Sequence, residues 1–376
     1  MGASFASEPG ADEKVDQSCK PRSWHKHWHA YDGQNPVECA DAEDCVQMKQ
    51  FILPGALRCE DFRMLGILGT GTFACVRLAV HTPSSIQCAI KVLRKDDAIA
   101  QGRVDACLRE KRVLYALDHP FIERLYGHFQ DPRCLYFALE YVPAGELFAL
   151  LRTQGYFTSS TARFYCAQVV CALEHMHDKE FIYRGLKPED ILLDGDGFIK
   201  LVDMGFAREL PESGLTHTLC GTPEYASPEV LLNHGHGKPA DWWGLGVLAF
   251  EMMVGIPPFT HENPMEVFQQ VIRGKIFRPP GRRLDAEPKS FVQALLRANP
   301  QERLGGGGKG ASEVKRARWF GDMHWDDLLN RRISAPYVPP ARLDCHTDGC
   351  SATVGEEIPE AAELPPGVED VFEALW

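Results

Sequence analysis

Two glycines, a lysine and a glutamate occur in an order that suits the binding of phosphate groups. Gly69 and Gly71 lie between two predicted strands, where residues without a side chain let the backbone close over phosphates. Lys91 follows on the next predicted strand, and Glu110 on a predicted helix can hold it by a charge-assisted bond. Alone, the glycines fit a plain hairpin turn equally well, because Ala74 stands where a third Gly is preferred. The order of these residues favours a nucleotide site.

Four later segments extend this pattern. They are FIYRGLKPED (181–190), VDMGF (202–206), CGTPEYASPE (220–229) and DWW (241–243). Together with the glycine loop, they resemble the eukaryotic protein kinases over about residues 62–320, and LCGTPEY and DWWGLG are similar to the cAMP-dependent kinase group. The resemblance implies transfer of the γ-phosphate of Mg²⁺-bound ATP to Ser or Thr in basic proteins.

The same resemblance implies which residues would contact ATP. Lys91 paired with Glu110 would hold the phosphates, and the backbone of Glu140 and Val142 would bind adenine. The implied nucleotide-contacting residues are Leu68, Gly69, Gly71, Val76, Ala89, Lys91, Glu140, Val142 and Leu192.

Metal-binding and catalytic residues are implied in the same way. Asp203 would coordinate Mg²⁺, together with Asp190 at a position where the family keeps an Asn. Lys187 would contact the transferred phosphoryl group, and Gly185 occupies the position of the Asp that accepts the substrate hydroxyl proton. The implied catalytic residues are Lys91, Glu110, Lys187 and Thr222.

An activation loop is implied around Thr218, which aligns with the family's phosphorylation site. Arg184 and Arg208 would be its cationic partners once it is phosphorylated. Glu229 and Arg303 match a structural ion pair of the large lobe.

Three residues depart from the family pattern. Met204 replaces a Phe by an apolar side chain of suitable volume, and Asp190 keeps an oxygen ligand while adding charge near the γ-phosphate. Gly185 is the serious loss, because general-base assistance is typically worth ~10²–10⁴-fold in rate. Phosphoryl transfer needs little early proton transfer, so we expect the low end of that range, although Gly185 can also loosen the loop.

Two functions therefore stay open. One is a serine/threonine kinase of reduced rate, favoured by Thr218 and the substrate pocket. The other is a pseudokinase that docks partners or occupies a regulatory subunit, favoured by Gly185 and Asp190. A third explanation is a sequence error, because Asp to Gly needs a single base change.

Three glutamates predict the peptide that is recognised. Glu146, Glu189 and Glu251 align with residues that, in the resembled family, bind arginines of the substrate peptide. Those arginines lie two and three residues before the target serine. Paired charge-assisted bonds to guanidinium favour Arg over Lys. The alternative is three ordinary surface glutamates, but Glu251 lies in a strongly apolar helix, where an unpaired charge is costly. Ala226 replaces the family's usual Leu and should broaden the preference after the serine.

The elements that position these residues follow an α+β, bilobal order. Short β-type runs from Asp61 predict an antiparallel small lobe with one main helix, and the later apolar helical segments predict a larger helical lobe. The expected divisions are an extension over 1–58, a small lobe and hinge over 59–142, a large lobe over 143–320 and a tail over 321–376.

The composition of the chain limits the classes of binding partner and the cellular compartments that we expect for it. The net charge of −12 argues against nucleic acid, which needs basic surfaces. There is no apolar run long enough for a membrane span, and the first residues lack a signal-peptide pattern, so we expect a cytoplasmic or nuclear protein. The 13 scattered cysteines predict reduced thiols in place of a disulfide framework.

Both ends of the chain carry weaker signals. Gly2 is one residue out of register with a myristoylation pattern, because Ser7 stands one position late. His25, His27 and His29 alternate as metal ligands on a strand edge could, but a solvated or docked segment is the better interpretation. At the other end, Phe372, Leu375 and Trp376 approximate the Phe-x-x-Phe segment that docks on the small lobe in the resembled group, and otherwise predict a short amphipathic helix.

Overall fold

A computed structural model describes residues 53, 56–71, 74–218, 221–276, 283–340 and 376. The predictions for Gly2, for the three histidines between residues 25 and 29, and for Phe372 and Leu375 lie outside these residues. Most of the predicted extension and much of the predicted tail also lie outside them.

The small lobe is a five-stranded antiparallel sheet with two helices, and its strand order is β1-β2-β3-β5-β4. The strands are β1 (Phe62–Thr70), β2 (Ala74–His81), β3 (Ile86–Arg94), β4 (Leu125–Gln130) and β5 (Cys134–Glu140). The helices are α1 (Lys95–Ala100) and α2 (Val104–Ala116). The predicted antiparallel arrangement and the predicted main helix, α2, are confirmed.

Alternation along β3 separates two packing faces, because successive side chains of a strand point to opposite sides. Cys88, Ile90 and Val92 are buried in a cluster on one face. Ala89 belongs to the main core on the other face, which is also the face of Lys91. The period of the strand therefore turns Lys91 toward the large lobe.

The large lobe is mainly helical. Its helices are α3 (Leu147–Gln154), α4 (Ser159–Asp178), α5 (Pro228–Leu231), α6 (Pro239–Val254), α7 (Pro264–Arg273), α8 (Ala286–Leu295), α9 (Ala311–Lys315) and α10 (Trp325–Leu329). Four short strands form two antiparallel pairs, β6 (Phe181–Ile182) with β9 (Arg208–Glu209) and β7 (Ile191–Leu193) with β8 (Ile199–Leu201). The fold is the bilobal α+β architecture that the resemblance implied.

The centre of the large lobe is α6, which packs between α4 and α8. Its apolar sequence explains this position, because a helix that is hydrophobic all round must be covered on all sides. The buried ion pair that holds the lobe joins Arg303 to Glu229 through two bonds of 2.7 and 2.8 Å. Packing continues beyond Phe320, since Leu328 of α10 is fully buried. None of the helices in the described ranges has the length and apolar character needed to cross a membrane.

Candidate active site

A cavity between the lobes gathers most of the residues expected to contact nucleotide. Its wall is formed by Leu68, Val76, Ala89, Lys91, Glu123, Leu139, Glu140, Tyr141, Val142, Glu189, Asp190, Leu192, Val202 and Asp203. Gly69 lies at the end of β1 opposite Val76, and the turn after it closes through a 2.8 Å bond from the Gly71 N–H to the Ala74 carbonyl. The glycine segment is therefore the hairpin turn between β1 and β2, at the edge of this cavity.

Lys91 is buried and bonds two carboxylates, of which Glu110 is buried and Asp203 is partly exposed. Its Nζ is 2.5 Å from Glu110 Oε1 on α2 and 2.9 Å from Asp203 Oδ1, which follows β8. Burial opposes the charge of Lys91, but the carboxylates of Asp203 and Glu110 outweigh it and raise the lysine's pKa. Burial likewise opposes the charge of Asp203, yet Lys91 holds the pKa of this carboxyl below its usual range. Lys91 and Asp203 are therefore held in their ionised forms, whereas burial raises the pKa of Glu110 against the opposing effect of Lys91.

Asp203 is fixed by its backbone as well as by Lys91. It has a left-handed conformation (φ 59°), which is rare for a residue with a side chain and needs support from its surroundings. That support includes a 2.7 Å bond from the Asp203 N–H to Glu123 Oε1. Met204, the residue that replaces the family's Phe, is fully buried beside it.

Glu123 is a cavity residue that the sequence analysis missed. It is 8% exposed, and burial raises the pKa of its carboxyl to about 8. In the sequence it stands in FIERLY, beside an arginine and outside any motif, where it looks like one of a pair of surface charges. No local pattern distinguishes it, because its burial comes from the neighbouring β8.

The catalytic loop is anchored on the N-terminal side of Gly185. Asp241 of α6 accepts the backbone N–H groups of Tyr183 and Arg184 at 2.9 and 2.8 Å. A Cβ added to Gly185 would lie 3.5 Å from Phe206 Cδ2 and 3.7 Å from Asp190 Oδ2, which are ordinary contact distances. The loop therefore has space for a side chain at residue 185, where the resemblance implies a base in other kinases.

Asp190 faces this space with an unsatisfied oxygen. The residue is 6% exposed, and Lys187 Nζ lies 3.4 Å from its Oδ1. Oδ2 has no hydrogen-bond partner within the described residues. Burial raises the pKa of Asp190, Lys187 opposes that change, and Asp203 adds to it.

A second cavity joins the catalytic loop to the segment that follows the activation loop. Its wall includes Gly185, Lys187, Asp190, Thr222, Tyr225 and Ala226. The structure thus places Thr222, Lys187 and Gly185 on the wall of one cavity. Within the described ranges, no group of three or more His, Cys, Asp or Glu side chains is arranged to bind a metal by itself.

Thr218 of the activation loop contacts one of its two expected partners. Arg208 Nη1 donates to Thr218 Oγ1 at 2.6 Å. Arg184 Nε instead donates to the Phe206 carbonyl at 2.8 Å, so this arginine ties the catalytic loop to the segment after Asp203. Arg208 therefore contacts Thr218, whereas Arg184 contacts the backbone of the segment that follows Asp203.

Two of the three expected substrate glutamates are buried, and Glu189 is partly exposed. Glu146 is 5% and Glu251 is 2% exposed, and Tyr225 OH donates to Glu251 Oε2. Burial raises the pKa of Glu251 to about 8, and the nearby charge of Glu189 adds to that effect. The negative charges of Glu189 and Glu251 therefore repel one another. Glu146 immediately precedes α3, and its backbone forms an isolated antiparallel bridge with Leu192 of β7.

Trp376, the last residue of the sequence, docks on the small lobe. Its ring centroid lies 4.9 Å from that of Phe137, and its indole N–H donates to the Phe129 carbonyl at 3.0 Å. Its carbonyl oxygen accepts from Lys111 Nζ at 2.5 Å and lies 2.6 Å from His128 Nε2. Lys111 is adjacent to Glu110 on α2, so the docked residue contacts the helix that holds Lys91.

Comparison with known proteins agrees with this geometry. The family model described as the protein kinase domain matches residues 62–320. The cAMP-dependent protein kinase catalytic subunit PRKX of Homo sapiens is 42% identical over 319 residues, which are 85% of this chain and 88% of that protein. The cAMP-dependent protein kinase type 3 of Saccharomyces cerevisiae is 40% identical over 307 residues, 81% of this chain and 76% of that protein. The cAMP-dependent protein kinase catalytic subunit of Dictyostelium discoideum is 39% identical over 323 residues, 85% of this chain and 49% of that protein.

Proposed function

This chain belongs to the protein kinase family, and on that basis we propose that it binds Mg²⁺-ATP and phosphorylates Ser or Thr in basic peptides at a reduced rate. The observation that supports this most directly is the pair of ionic contacts that Lys91 makes with Glu110 and Asp203 beside the cavity. A lysine held by two carboxylates is positioned to meet phosphate groups without a further change of conformation.

The residues present fit a divalent cation bound together with nucleotide. Asp190 Oδ2 is a buried acceptor without a donor within the described residues, and an oxygen of this kind is the ligand type that Mg²⁺ prefers. Asp190 and Asp203 would hold the metal, and the phosphates would complete its coordination. When bound, Mg²⁺ neutralises phosphate charge.

The reduced rate follows from Gly185. Lys187 and Thr222 line the cavity in which a substrate hydroxyl would lie, but residue 185 brings no carboxylate to orient that hydroxyl. Positioning and electrostatic stabilisation supply most of the catalysis of phosphoryl transfer, so the loss lowers the rate without abolishing it.

A pseudokinase is the second candidate, and the Gly185–Asp190 region is the observation that favours it. Such a protein would bind nucleotide and use the folded domain as a scaffold or decoy for a regulatory subunit. The names of its relatives, which call them catalytic subunits, support a regulatory partner for this chain as well.

The cysteines bear on where the protein is located. The seven cysteines of the described residues are free, which supports a reducing compartment such as the cytoplasm or nucleus.

Two measurements on the full-length protein separate these candidates. Thermal unfolding with and without Mg²⁺-ATP tests binding, because a ligand that binds the folded state raises the unfolding temperature. Transfer of labelled γ-phosphate to an Arg-Arg-x-Ser-apolar peptide tests catalysis, with the matching Ala-Ala-x-Ser peptide as control. Stabilisation with slow, arginine-dependent transfer supports the kinase, and stabilisation without transfer supports the pseudokinase. Absence of both results would contradict the proposal.

A further inference from the structure

The strand that leads to Asp203 carries a lysine that the site described above does not use. In β8, Ile199 and Leu201 belong to the main core, so Lys200 between them points to the opposite face of the strand. That face is not open to solvent, because Lys200 is only 7% exposed. A buried lysine needs a charged partner, since burial of an unpaired ammonium group is costly.

The partner is Glu140, the last residue of β5, where the small lobe passes into the hinge. Lys200 Nζ lies 2.8 Å from Glu140 Oε2, and the Arg124 N–H donates to the same oxygen at 3.2 Å. The Glu140 N–H donates to the Arg124 carbonyl at 2.8 Å, so the backbone of Glu140 is held as well as its side chain. The ion pair therefore joins the end of the small-lobe sheet to the β7–β8 hairpin of the large lobe.

A second ion pair joins the same segment to the small lobe. Lys91 of β3 lies 2.9 Å from Asp203, which follows Lys200 by three residues. The strands that carry Lys91 and Glu140, β3 and β5, are neighbours in the sheet. One pair has its cation in the small lobe and the other has its cation in the large lobe. Segment 200–203 is therefore held to the sheet at both of its ends.

The two ion pairs differ in their position relative to the cavity. Lys91 and Asp203 both line it, so phosphates and a metal ion would compete for their contact. Of the second pair, Glu140 lines the cavity, whereas Lys200 is not part of the wall that the described residues form. A ligand can therefore bind without touching Lys200, and the pair with Glu140 can persist in the ligand-bound state.

We propose, building on the nucleotide-binding function proposed above, that Lys200 is a positioning residue whose ion pair with Glu140 holds the hinge against the strand that leads to Asp203 and thereby raises the affinity for nucleotide. The pair keeps the cavity wall in one arrangement before the ligand arrives, so binding does not have to order it. Lys200 itself touches neither nucleotide nor metal ion. Its effect on affinity passes through Glu140.

The test measures the dissociation constants of Mg²⁺-ATP and of adenosine for the full chain and its variants. Lys200→Met removes the charge and keeps a long apolar side chain, and we expect it to weaken the binding of both ligands about tenfold. Adenosine carries no phosphates, so its weakening reports on the hinge and not on Asp203. Lys200→Arg restores the cation and should recover most of the affinity.

A second variant breaks the pair from its other side. Glu140→Gln should weaken both ligands as Lys200→Met does. The double variant should bind no more weakly than either single variant, because both changes remove one interaction and their effects are then not additive. Additive losses would show that Lys200 does not act through Glu140 and would overturn the proposal.

Lys315→Met is the matched control, because Lys315 also forms a partly buried ion pair, with Glu174, and neither residue lines this cavity in the part of the chain that the structure describes. It should lower the unfolding temperature and leave both dissociation constants unchanged. The same result for Lys200→Met would give Lys200 a merely structural role and overturn the proposal, as would weaker binding of Mg²⁺-ATP alone. Either result would leave the proposed nucleotide binding standing. If the parent chain bound neither ligand, the proposed function would fail and this inference with it.

Discussion

Two regions of the cleft differ in how completely their charges are satisfied: the region of Lys91 and Asp203, called here the nucleotide end, and the region of Gly185 and Asp190, called here the catalytic-loop end. At the nucleotide end, Lys91 bonds two carboxylates, and Asp203 is held through both its side chain and its backbone. At the catalytic-loop end, Asp190 has a buried oxygen without a donor within the described residues, beside the empty side-chain position of Gly185. The first region is preorganised by the protein itself, whereas the second is incomplete.

This difference separates binding from catalysis in one fold. The loop that contains Gly185 is still anchored, because Asp241 accepts two backbone N–H groups from the preceding residues. The lack of a side chain at Gly185 therefore need not disturb the fold or the cavity between the lobes. The predictions below test whether the two regions behave as independently as their contacts indicate.

The largest effect is expected from Lys91→Ala. The change leaves the buried Glu110 and the partly exposed Asp203 without their cation, and breaking a buried ion pair typically costs about 3 to 5 kcal/mol. We expect that loss in the free energy of unfolding, measured by chemical denaturation, and no thermal shift with Mg²⁺-ATP. Lys238→Ala is the control, because its surface pair with Glu180 should contribute less than about 1 kcal/mol. Normal nucleotide binding by Lys91→Ala would break the distinction between the two regions.

The next effect concerns Gly185→Asp combined with Asp190→Asn. An aspartate fits at 185, but by itself it places a second carboxylate beside Asp190 Oδ2, and two like charges at short range disfavour ionisation of both. The double variant should therefore raise phosphotransfer by ~10²-fold or more, and by more than Gly185→Asp alone. Labelled-phosphate transfer measures the rates, and Gly185→Asn combined with Asp190→Asn controls for side-chain volume. A double variant as slow as the parent would show that the missing base is not what limits the rate.

A smaller effect is expected in peptide binding, through Glu251. Its pKa of about 8 means that the carboxyl is largely protonated at neutral pH in the free protein. An arginine of the peptide favours the ionised form and lowers that pKa, so binding at pH 7 should release protons, and affinity should increase as the pH rises from 6 to 8. Calorimetry in two buffers of different ionisation enthalpy measures the release.

The control for this prediction is Glu251→Gln, which cannot titrate. It should show less proton release, a flatter pH dependence and about tenfold weaker binding of the Arg-Arg peptide. The same affinity and proton release in parent and variant would place arginine recognition elsewhere.

The smallest effect is expected at Trp376. Trp376→Ala removes the contact with Phe137 and the indole bond to the Phe129 carbonyl. Because the side chain is half-buried, we expect a loss of about 1 to 2 kcal/mol in the free energy of unfolding and a few-fold weaker ATP binding. Trp376→Phe should lose less in both measurements, because it keeps the ring contact. Unchanged ATP binding in the Ala variant would show that docking of this residue does not support the position of α2.

The sequence alone determined the bilobal fold and predicted residues that the structure brings together at the cavity between the lobes. Short runs of β-type residues predicted the strands, and the helical apolar runs at 160–177 and 240–255 predicted the core helices that appear as α4 and α6. Lys91, Glu110 and Asp203 were identified by their order in motifs, and the structure brings these three together. Such features are readable because periodicity and motif spacing are local properties of the chain.

Only the tertiary structure decided which charged groups are buried and what each one contacts. Glu123 became a cavity residue through a bond to Asp203, 80 positions away in the sequence. Trp376 was joined to Lys111 across 265 positions, and the donor for Glu251 proved to be Tyr225. The free energy of a buried polar group depends on the partners that packing supplies, and those partners come from distant segments whose meeting no local pattern records.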